Sequence, residues 1–504
     1  MPPGAFVYGT FAPEVPGLGN PVKSPRRRRT ATVTAMSRPL ANTPSRRVET
    51  LPRVRHSSAR TVAISLTAAL ALTACGLTGG PDPSASAEAT TMPADATVIT
   101  MAVWGGFGLD DLIAQYEAEH PNVIIELQTG DYNPLHDELQ RSLVSGHGAP
   151  TIAAIGEDYI AKFATQPDQF VDLGAVGASD YESAYLPWKW AEGEGTDGSI
   201  IGVGADVAGL ALCYRSDLFA AAGLPTDRLA VSGAMNDTWD GFLALGKQYT
   251  ESTDGDAFMD DATTLVSPVR DQMARSFYGT DGVLDAEASK PAFDVALDAI
   301  DSGISAGIPQ FTDAWDKGLS DGAFAVTLCP VWGMGYMQGV VSQSNYEPQW
   351  DIADIPGSGG SRGGSFYTIP AQASPEQRAV AWEFLRWLIQ PEQQLQIFQA
   401  TGSLPSQPAL YSDASVQSYS LPFFNDAPVG PILAKAVEEL PAKQSYNAKD
   451  GVIEVTVEQV LSEVKAGTVA SADAWAVALE AAKLADASNG STVPSPSVSP
   501  SPSS

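Results

Sequence analysis

The amino-acid sequence predicts an α/β protein made of two lobes. Short runs of apolar, often β-branched residues alternate with amphipathic segments of helical length in the first third of the chain. The same alternation returns in the second half, and residues 75–504 are enough for two domains of ordinary size. Strands that alternate with helices are typical of a parallel sheet covered by helices on both faces.

The first elements follow one another as strand, helix, strand, helix and strand. The β-branched residues at 98–103 predict a strand. Apolar residues at helical spacing predict a helix over 110–119, with Asp110 placed to cap it and Pro121 to end it. The same patterns predict a strand at 123–127, a helix at 135–143 and a strand at 151–155.

Later elements repeat these patterns. Thr238 precedes a helix predicted over 239–249, and the apolar residues at 324–328 predict a buried strand. A strongly amphipathic pattern, in which Trp382 and Trp387 are read as packing residues, predicts a helix over 375–389. Two further helices are predicted near the end, at 452–465 and 473–485.

Residues 1–74 have the composition of an extension and an export signal. The uncharged, mostly apolar run 61–74 follows several arginines, among them Arg53, Arg55 and Arg60. A positive segment, a short apolar segment and small residues before a cleavage point describe a secretory signal. About 14 apolar residues are too few to span a bilayer as a retained helix. The arginine-rich extension is long for such a signal, so Met36 is an alternative start to Met1.

The run Leu72-Thr73-Ala74-Cys75 resembles the lipobox of bacterial lipoproteins. This resemblance implies cleavage before Cys75, a lipid such as palmitate on its sulfur, and anchoring at the extracellular face of the cytoplasmic membrane. An ordinary signal peptide with an incidental cysteine is the alternative. Residues 75–96 are expected to form a flexible linker, and the Ser/Pro-rich tail 488–504 is expected to be disordered.

The chain without its first 74 residues is strongly acidic. Those residues hold 11 Lys and Arg and 2 Asp and Glu, which leaves 18 basic and 57 acidic residues and a net charge of −39. Such a surface repels phosphate backbones and anionic lipid headgroups, so the sequence excludes nucleic acid as a partner. The acidic residues are spread along the chain, which is typical of a solvated surface.

Cys213 and Cys329 are the other two cysteines, and both lie in strand-like runs. Outside the cell two thiols can persist as a disulfide, so this pair is a candidate disulfide. Two buried free thiols that act as small hydrophobes are the alternative.

A series of segments follows a fixed order. They are LIAQYEAEHPNVIIEL, SLVSGHGAPTIAAIGEDYIAKFA, GLALCYRSDLFAAAGLP, TWDGFLALGKQY, GAFAVTLCPVWGM, GGSFYTIP, AWEFLRWLIQPEQQLQIFQATGSLPSQPAL and VKAGTVASADAWAVALEAA. Together they cover roughly residues 97–487 and resemble the extracellular solute-binding proteins of ABC importers, in the branch of maltose-type and other sugar receptors. Thr151 stands where this family usually has Asp, and Arg215 where Asn is common.

The resemblance implies a periplasmic-binding-protein-like fold, in which two or three crossover segments join the lobes and the ligand lies in the cleft between them. The crossovers are expected near residues 204–212, 363–370 and 402–410. Lobe 1 is then residues 97–207 with 366–404, and lobe 2 is residues 208–365 with 405–487.

Sugars present hydroxyl groups that need hydrogen-bond partners and flat C–H faces that pack against aromatic rings. Residues of these kinds are expected in the cleft at the carboxyl ends of strands. The predicted ligand-binding residues are Trp104, Asp131, Glu157, Asp158, Trp332, Gly364, Ser365, Phe366 and Tyr446; Tyr132, Arg362 and Gly363 lie beside them. Core packing is the alternative for each tryptophan, and capping of the following helix is the alternative for Asp158. Trp239 is expected to pack at a helix start.

No pattern of catalytic or metal-binding residues is convincing. Residues 359–363 satisfy G-x-S-x-G, but they precede a strand, whereas the nucleophile elbow joins a strand to a helix. His136, Glu138 and His147 lack the spacing of a zinc site. The sequence therefore predicts no enzyme, no metal and no cofactor. A pair such as Glu157 with Asp131 keeps a glycoside-active enzyme open as an alternative.

The resemblance implies a monomeric lipoprotein that captures a mono- or oligosaccharide outside the membrane and delivers it to the permease subunits of an ABC transporter. A receptor of the same fold for a non-sugar solute, such as a polyamine or a peptide, is the other alternative. The acidic composition would suit such a cationic solute.

Overall fold

A computed structural model gives the structure of the chain and describes residues 96–344, 348–441 and 447–488. The predicted signal segment, Cys75, nearly all of the linker, Tyr446 and the tail from residue 489 lie outside the described residues. The architecture is a mixed α/β arrangement.

The strands of the described residues are short except for one. They are β1 (Thr97–Trp104), β2 (Val123–Gly130), β3 (Ile152–Gly156), β4 (Gly202–Arg215), β5 (Val326–Pro330), β6 (Trp350–Ala353) and β7 (Ser361–Thr368). The hydrogen-bonded order is β2-β1-β3-β7-β4-β5, and β6 pairs with β4.

The sheet is parallel only at its first edge. β1 pairs in parallel with β2 and β3, but β7 pairs antiparallel with both β3 and β4, and β4 pairs antiparallel with β5 and β6. The expectation of a parallel sheet throughout was therefore wrong beyond β3. The reason is that β7 returns from the far part of the chain and runs against β3, a long-range pairing that local periodicity does not encode.

The long strand β4 connects two groups of strands. Its residues from Gly202 to Gly209 pair with β7, and those from Leu210 to Arg215 pair with β5 and β6. The register shifts twice between Gly204 and Gly209, where β4 passes from one group to the other. An isolated antiparallel β-bridge between Val207 and Leu404 places a third segment beside β4.

Helices cover these strands. They are α1 (Asp110–Glu119), α2 (Tyr132–Ser145), α3 (Glu157–Phe163), α4 (Pro187–Glu192), α5 (Ser216–Ala221), α6 (Arg228–Ala234), α7 (Trp239–Ser252), α8 (Val266–Gln272), α9 (Lys290–Asp301), α10 (Asp313–Asp321), α11 (Val331–Val341), α12 (Pro375–Leu388), α13 (Pro391–Thr401), α14 (Ala414–Gln417), α15 (Val429–Glu438), α16 (Asp450–Lys465) and α17 (Ser471–Ala487). None of them is long and apolar enough to cross a membrane.

Two local expectations were wrong. The N-cap of α1 is Leu109, and Asp110 is the first helical residue, where its carboxylate lies near the positive end of the helix. The strand predicted at 324–328 is shifted to Val326–Pro330, and the amides of Ala325 and Val326 both donate to the Phe258 carbonyl oxygen at its start.

Separate apolar cores lie on the two sides of the crossover. One contains Ile99, Met101 and Val103 of β1 packed under α12, where Trp382 is buried and Trp387 packs against the same cluster. Another contains Trp239 and the face of α7. The packing role expected for these three tryptophans therefore agrees with their positions.

Cys213 of β4 and Cys329 of β5 are joined in a disulfide, with their Cα atoms 5.9 Å apart. Both residues are buried, and they lie diagonally across the antiparallel pair of strands. Of the two alternatives that the sequence leaves open, a disulfide or two buried free thiols, the structure contains the disulfide.

Candidate ligand-binding cleft

A cleft of about 1600 Å³ lies where the two groups of strands meet. Its first wall is formed by residues at the ends of β1 and β3 and at the starts of α2 and α3. Its second wall is formed by α8, α16, the start of α11 and the loop at 309–311. Residues of β4 and β7, the two crossover strands, form its floor.

The first wall carries an aromatic cluster. Trp104 is the last residue of β1, and its ring makes edge-to-face contacts with the rings of Phe107 and Tyr132 at centroid distances of 5.0 and 4.9 Å. His136 supports this cluster from behind: its Nδ1 lies 2.6 Å from the Tyr132 carbonyl oxygen, and its Nε2 accepts from the Gly156 amide at 2.9 Å. Because burial lowers the pKa of His136 to about 4, the ring is neutral, with its proton on Nδ1.

Two carboxylates follow the aromatic cluster along the first wall. Glu157 and Asp158 are the first two residues of α3, directly after β3. Burial raises the pKa of Tyr132, so its hydroxyl stays protonated and donates to Asp158 Oδ2 at 3.3 Å. Water reaches the Asp158 side chain, but the cleft around it displaces bulk solvent and raises its pKa; Arg362, the Tyr132 hydroxyl and Lys189 act in the opposite direction.

Lys189 of α4 is a wholly buried cation behind the first wall. Its Nζ lies 3.7 Å from Glu157 Oε2 and 3.9 Å from the centroid of the Phe366 ring. The positive charge is therefore stabilised by a carboxylate and by a cation–π contact. Its side chain passes between the crossover strands. A Cβ atom at Gly204 would meet its Cγ at 3.0 Å, and one at Gly364 would meet its Nζ at 3.1 Å.

The second wall has an aromatic surface of its own. Trp332, near the start of α11, stacks on Phe311 with ring centroids 5.4 Å apart and an interplanar angle of 29°. Its indole Nε1 donates to the Arg362 carbonyl oxygen at 2.9 Å, which fixes the plane of the ring. The Arg362 guanidinium in turn donates from Nη1 to Gln310 Oε1 at 2.6 Å.

Charged residues line the second wall farther along. Arg270 of α8 forms an ion pair with Glu454 of α16 at 2.9 Å, and it also contacts Asp271 at 3.3 Å. Glu458 lies one helical turn beyond Glu454. Burial raises the pKa of Glu458 to about 8, the Glu454 charge adds to this rise, and Arg362 and Arg270 oppose it.

The floor offers hydroxyl and backbone groups. Gly363 and Gly364 have φ values of +101° and +111°, a conformation that side chains rarely adopt. Ser365 follows them, and its hydroxyl donates to an Asp206 carboxylate oxygen on the neighbouring strand.

The structure brings most of the predicted site residues together. Trp104, Glu157, Asp158, Trp332, Gly364 and Ser365 line the cleft, as do Tyr132, Arg362 and Gly363. Phe366 does not: it is fully buried, because side chains alternate along β7 and its ring points to the Lys189 side. Asp131 occupies the N-cap position of α2 and is not among the lining residues.

Several lining residues were missed from the sequence, among them Asp206, Asp261, Arg270, Gln310, Phe311, Glu454 and Glu458. Strand ends were the positions expected to line the cleft, whereas most of these residues lie on helix faces or in a loop. For α16 the sequence did contain a signal of the cleft: Glu454 and Glu458 lie one turn apart and therefore on the same face of an amphipathic helix.

The cleft is lined by far more acidic than basic side chains. The acidic ones are Asp137, Glu157, Asp158, Glu192, Glu194, Asp206, Asp261, Asp271, Asp450, Glu454 and Glu458; the basic ones are Lys162, Arg270 and Arg362. Over the described part of the chain, no group of three or more His, Cys, Asp and Glu side chains could hold a metal ion. The carboxylates are therefore not arranged as a metal centre.

Comparison with known proteins identifies relatives over most of the chain. Residues 111–424 match the family described as bacterial extracellular solute-binding protein. The arabinooligosaccharide-binding protein of Bacillus subtilis (strain 168) is 23% identical over 324 residues, which are 60% of this chain and 71% of that protein.

Comparison with solved structures also finds binding proteins that are similar over most of the chain. An extracellular solute-binding protein of family 1 is 35% identical, with a TM-score of 0.72, and the match covers 77% of this chain and 99% of that one. The ABC transporter-associated binding protein of B. animalis subsp. lactis Bl-04, solved with β-1,6-galactobiose, is 17% identical, with a TM-score of 0.61 and coverage of 78% and 98%. At that identity the second likeness concerns the fold alone.

Proposed function

The chain belongs to the family of bacterial extracellular solute-binding proteins, and we propose that it captures a carbohydrate, a mono- or oligosaccharide, for delivery to the permease of an ABC transporter. The observation that carries this proposal is an aromatic surface on each side of one cleft. Trp104 and its neighbours form one surface, and Trp332 with Phe311 forms the other. Between them lie carboxylates, a guanidinium and a serine hydroxyl.

This arrangement suits the two kinds of surface that a sugar presents. Aromatic rings pack against the flat C–H faces of a pyranose or furanose, and carboxylates accept hydrogen bonds from its hydroxyl groups. Asp158 on the first wall and Arg362 of β7, beside the second wall, would supply an acceptor and a donor. The Bacillus relative, by its name, binds arabinooligosaccharides, which favours a carbohydrate over other solutes here.

The proposed mechanism is binding by closure of the two lobes. A ligand that contacts both walls has a higher affinity for the closed form than for the open form, and it shifts the population accordingly. We place the lobes at residues 97–207 with 366–404 and at 208–365 with 405–487. The crossover strands β4 and β7 would then be the places where the chain bends.

The charge of the cleft bears on the choice of solute. Eleven acidic and three basic lining residues disfavour an anionic ligand such as a phosphorylated or uronic sugar. They suit a neutral sugar, whose hydroxyl groups donate to carboxylates. They also favour, as the second candidate, a cationic solute such as a polyamine or a basic peptide.

We further propose that the protein makes and breaks no bond and acts as a monomer. Ser361, the serine of the G-x-S-x-G pattern, is the first residue of β7, and its hydroxyl donates to the Ala208 carbonyl oxygen at 3.3 Å. That position within a strand does not suit a nucleophile. A lipid on Cys75 and the linker after it would keep the receptor near its permease; this proposal rests on the lipobox-like sequence.

Tryptophan fluorescence during titration with a panel of neutral sugars tests the proposal. We expect a saturable change in the wild-type protein and an affinity about 10- to 100-fold lower in W332A, because one stacking surface is lost. W475A is the matched control, since Trp475 lies on α17 outside the cleft and its affinity should be unchanged. No response to any sugar, with a response to spermidine or a basic peptide, would select the second candidate.

A further inference from the structure

A buried carboxylate lies directly behind the second wall. Asp260 is fully buried, and its Oδ2 accepts from Trp315 Nε1 at 2.9 Å, Thr327 Oγ1 at 2.6 Å and Gln310 Nε2 at 2.9 Å. Its Oδ1 accepts from the Asp261 amide at 2.7 Å. A carboxyl group with this many donors forms a rigid anchor, because moving any donor would leave buried polar atoms unpaired.

The side-chain amide of Gln310 joins this anchor to the cleft, and only one placement of its nitrogen and oxygen fits the neighbouring atoms. Its Nε2 lies within hydrogen-bond distance of Asp260 Oδ2, of Thr327 Oγ1 at 2.8 Å and of the Leu328 carbonyl oxygen at 3.2 Å. A carboxylate and a carbonyl oxygen only accept, so the amide nitrogen must face them and Oε1 must point away. On that side Oε1 accepts from Arg362 Nη1 at 2.6 Å.

The contact between Gln310 and Arg362 belongs to a series of contacts among four residues, Gln310, Phe311, Trp332 and Arg362. The Arg362 carbonyl oxygen accepts from Trp332 Nε1, the Trp332 ring stacks on Phe311, and Phe311 follows Gln310 in the chain. Phe311 has a φ of +62°, a left-handed conformation that a bulky residue rarely adopts. Contacts of neighbouring residues must hold the Phe311 backbone in this conformation, and the hydrogen bonds of the adjacent Gln310 side chain are among these contacts.

We propose that Gln310, anchored by Asp260, is a positioning residue that holds the Arg362 guanidinium in the orientation that the ligand meets. The inference rests on the proposed function and deepens it, because it assigns the orientation of one ligand-binding group, the Arg362 guanidinium, to Gln310. An arginine side chain has many rotamers, so one that is already fixed loses less conformational freedom when the ligand binds.

A double-mutant cycle on ligand affinity tests this role. Q310M keeps the length of the side chain but can neither donate to Asp260 nor accept from Arg362. We expect it to weaken sugar binding about 10-fold, and R362M to weaken it about 10- to 100-fold. The double variant should bind about as well as R362M alone, because Gln310 acts through Arg362. Effects that multiply in the double variant would overturn the proposal.

Two controls separate positioning from general stability. Q343A removes an exposed glutamine just after α11 and should leave the affinity unchanged. Melting temperatures of all variants are measured in parallel, since a purely structural role of Gln310 would lower the melting temperature and leave the affinity of the folded protein intact. If Q310M does not fold, Q310N takes its place; it keeps an amide but is too short to reach both Asp260 and Arg362.

Ligand-free crystal structures decide the same question without any sugar. In Q310M or Q310N we expect the Arg362 guanidinium to leave its wild-type position, while Asp260 keeps its contacts with Trp315 and Thr327. A guanidinium that stays in place would overturn the positioning role. If the wild-type protein binds no sugar, the proposed function fails, and these structures still decide whether Gln310 orients Arg362.

Discussion

Single residues in the cleft show how neighbouring charges set the protonation of a carboxyl group. Glu458 faces Glu454 and Asp261, which disfavour its ionised form, and Arg362 and Arg270, which favour it. Burial is the largest effect, and the net result is a pKa of about 8 instead of the ordinary 4.5. Glu458 is therefore largely protonated at neutral pH, and it can donate a hydrogen bond to a ligand as well as accept one.

This protonation makes stability depend on pH with a definite sign. Between about pH 4.5 and pH 8 the folded protein holds a proton on Glu458 that the unfolded chain has released. The contribution of this group to the free energy of unfolding is therefore complete below that range and is lost as the pH rises through it. In E458Q we expect a melting temperature that depends less on pH between 5 and 8 and exceeds that of the wild type above pH 8. An unchanged pH profile in E458Q would contradict this account.

The sequence allowed prediction of cleft residues that follow strands directly. Trp104, Glu157 and Asp158 were found because apolar strands are easy to locate and their carboxyl ends mark the cleft. Glu458 and Gln310 were not found. The place of Glu458 depends on how α16 packs against α8 and α9, and that of Gln310 on its contact with Arg362 of β7, 52 residues away. No local pattern records these long-range contacts.

At the level of elements, the two crossover strands depend on glycines where they approach each other. Gly364 of β7 has a φ of +111°, and a Cβ atom there would lie 2.7 Å from the Asp206 carbonyl oxygen of β4 and 3.1 Å from Lys189 Nζ. Real Cβ atoms essentially never show the first distance, and the second is tighter than nine in ten of their contacts. A side chain at this position would force β4, β7 and the buried lysine apart.

We expect G364A to lower the free energy of unfolding by about 2–4 kcal/mol, because it adds an overlap to an unfavourable φ. G223A is the matched control: Gly223 also has a positive φ, +71°, but a Cβ atom there would have no neighbour within 4 Å. It should cost only about 1 kcal/mol. Chemical denaturation of the two variants measures the difference, and equal losses in both would contradict the close approach at Gly364.

Helices and strands were predictable where apolar periodicity is strong. α1 was predicted with its observed bounds, and α7 and α12 were predicted at their observed first residues. The pairing of those elements was not predictable to the same degree. β7 lies between β3 and β4 although more than 140 residues separate it from either, so its antiparallel direction depends on tertiary structure that periodicity does not contain.

At the level of the whole molecule, the predicted fold class and family are confirmed. The family match spans residues 111–424, and the family 1 structure at 35% identity covers 77% of the chain. The ordered series of segments made this prediction possible, whereas each segment alone is common. The identity of the solute could not be predicted in the same way, because it depends on side chains that converge on the cleft from separate elements.

The central claim is that the cleft binds a neutral carbohydrate. Isothermal titration calorimetry of the purified protein with arabino-, malto- and galacto-oligosaccharides tests it directly. We expect one of them to bind saturably at one site per chain, and W332A to reduce that affinity. Folded protein that releases or absorbs no heat with any sugar, and binds spermidine or a basic peptide instead, would contradict the claim.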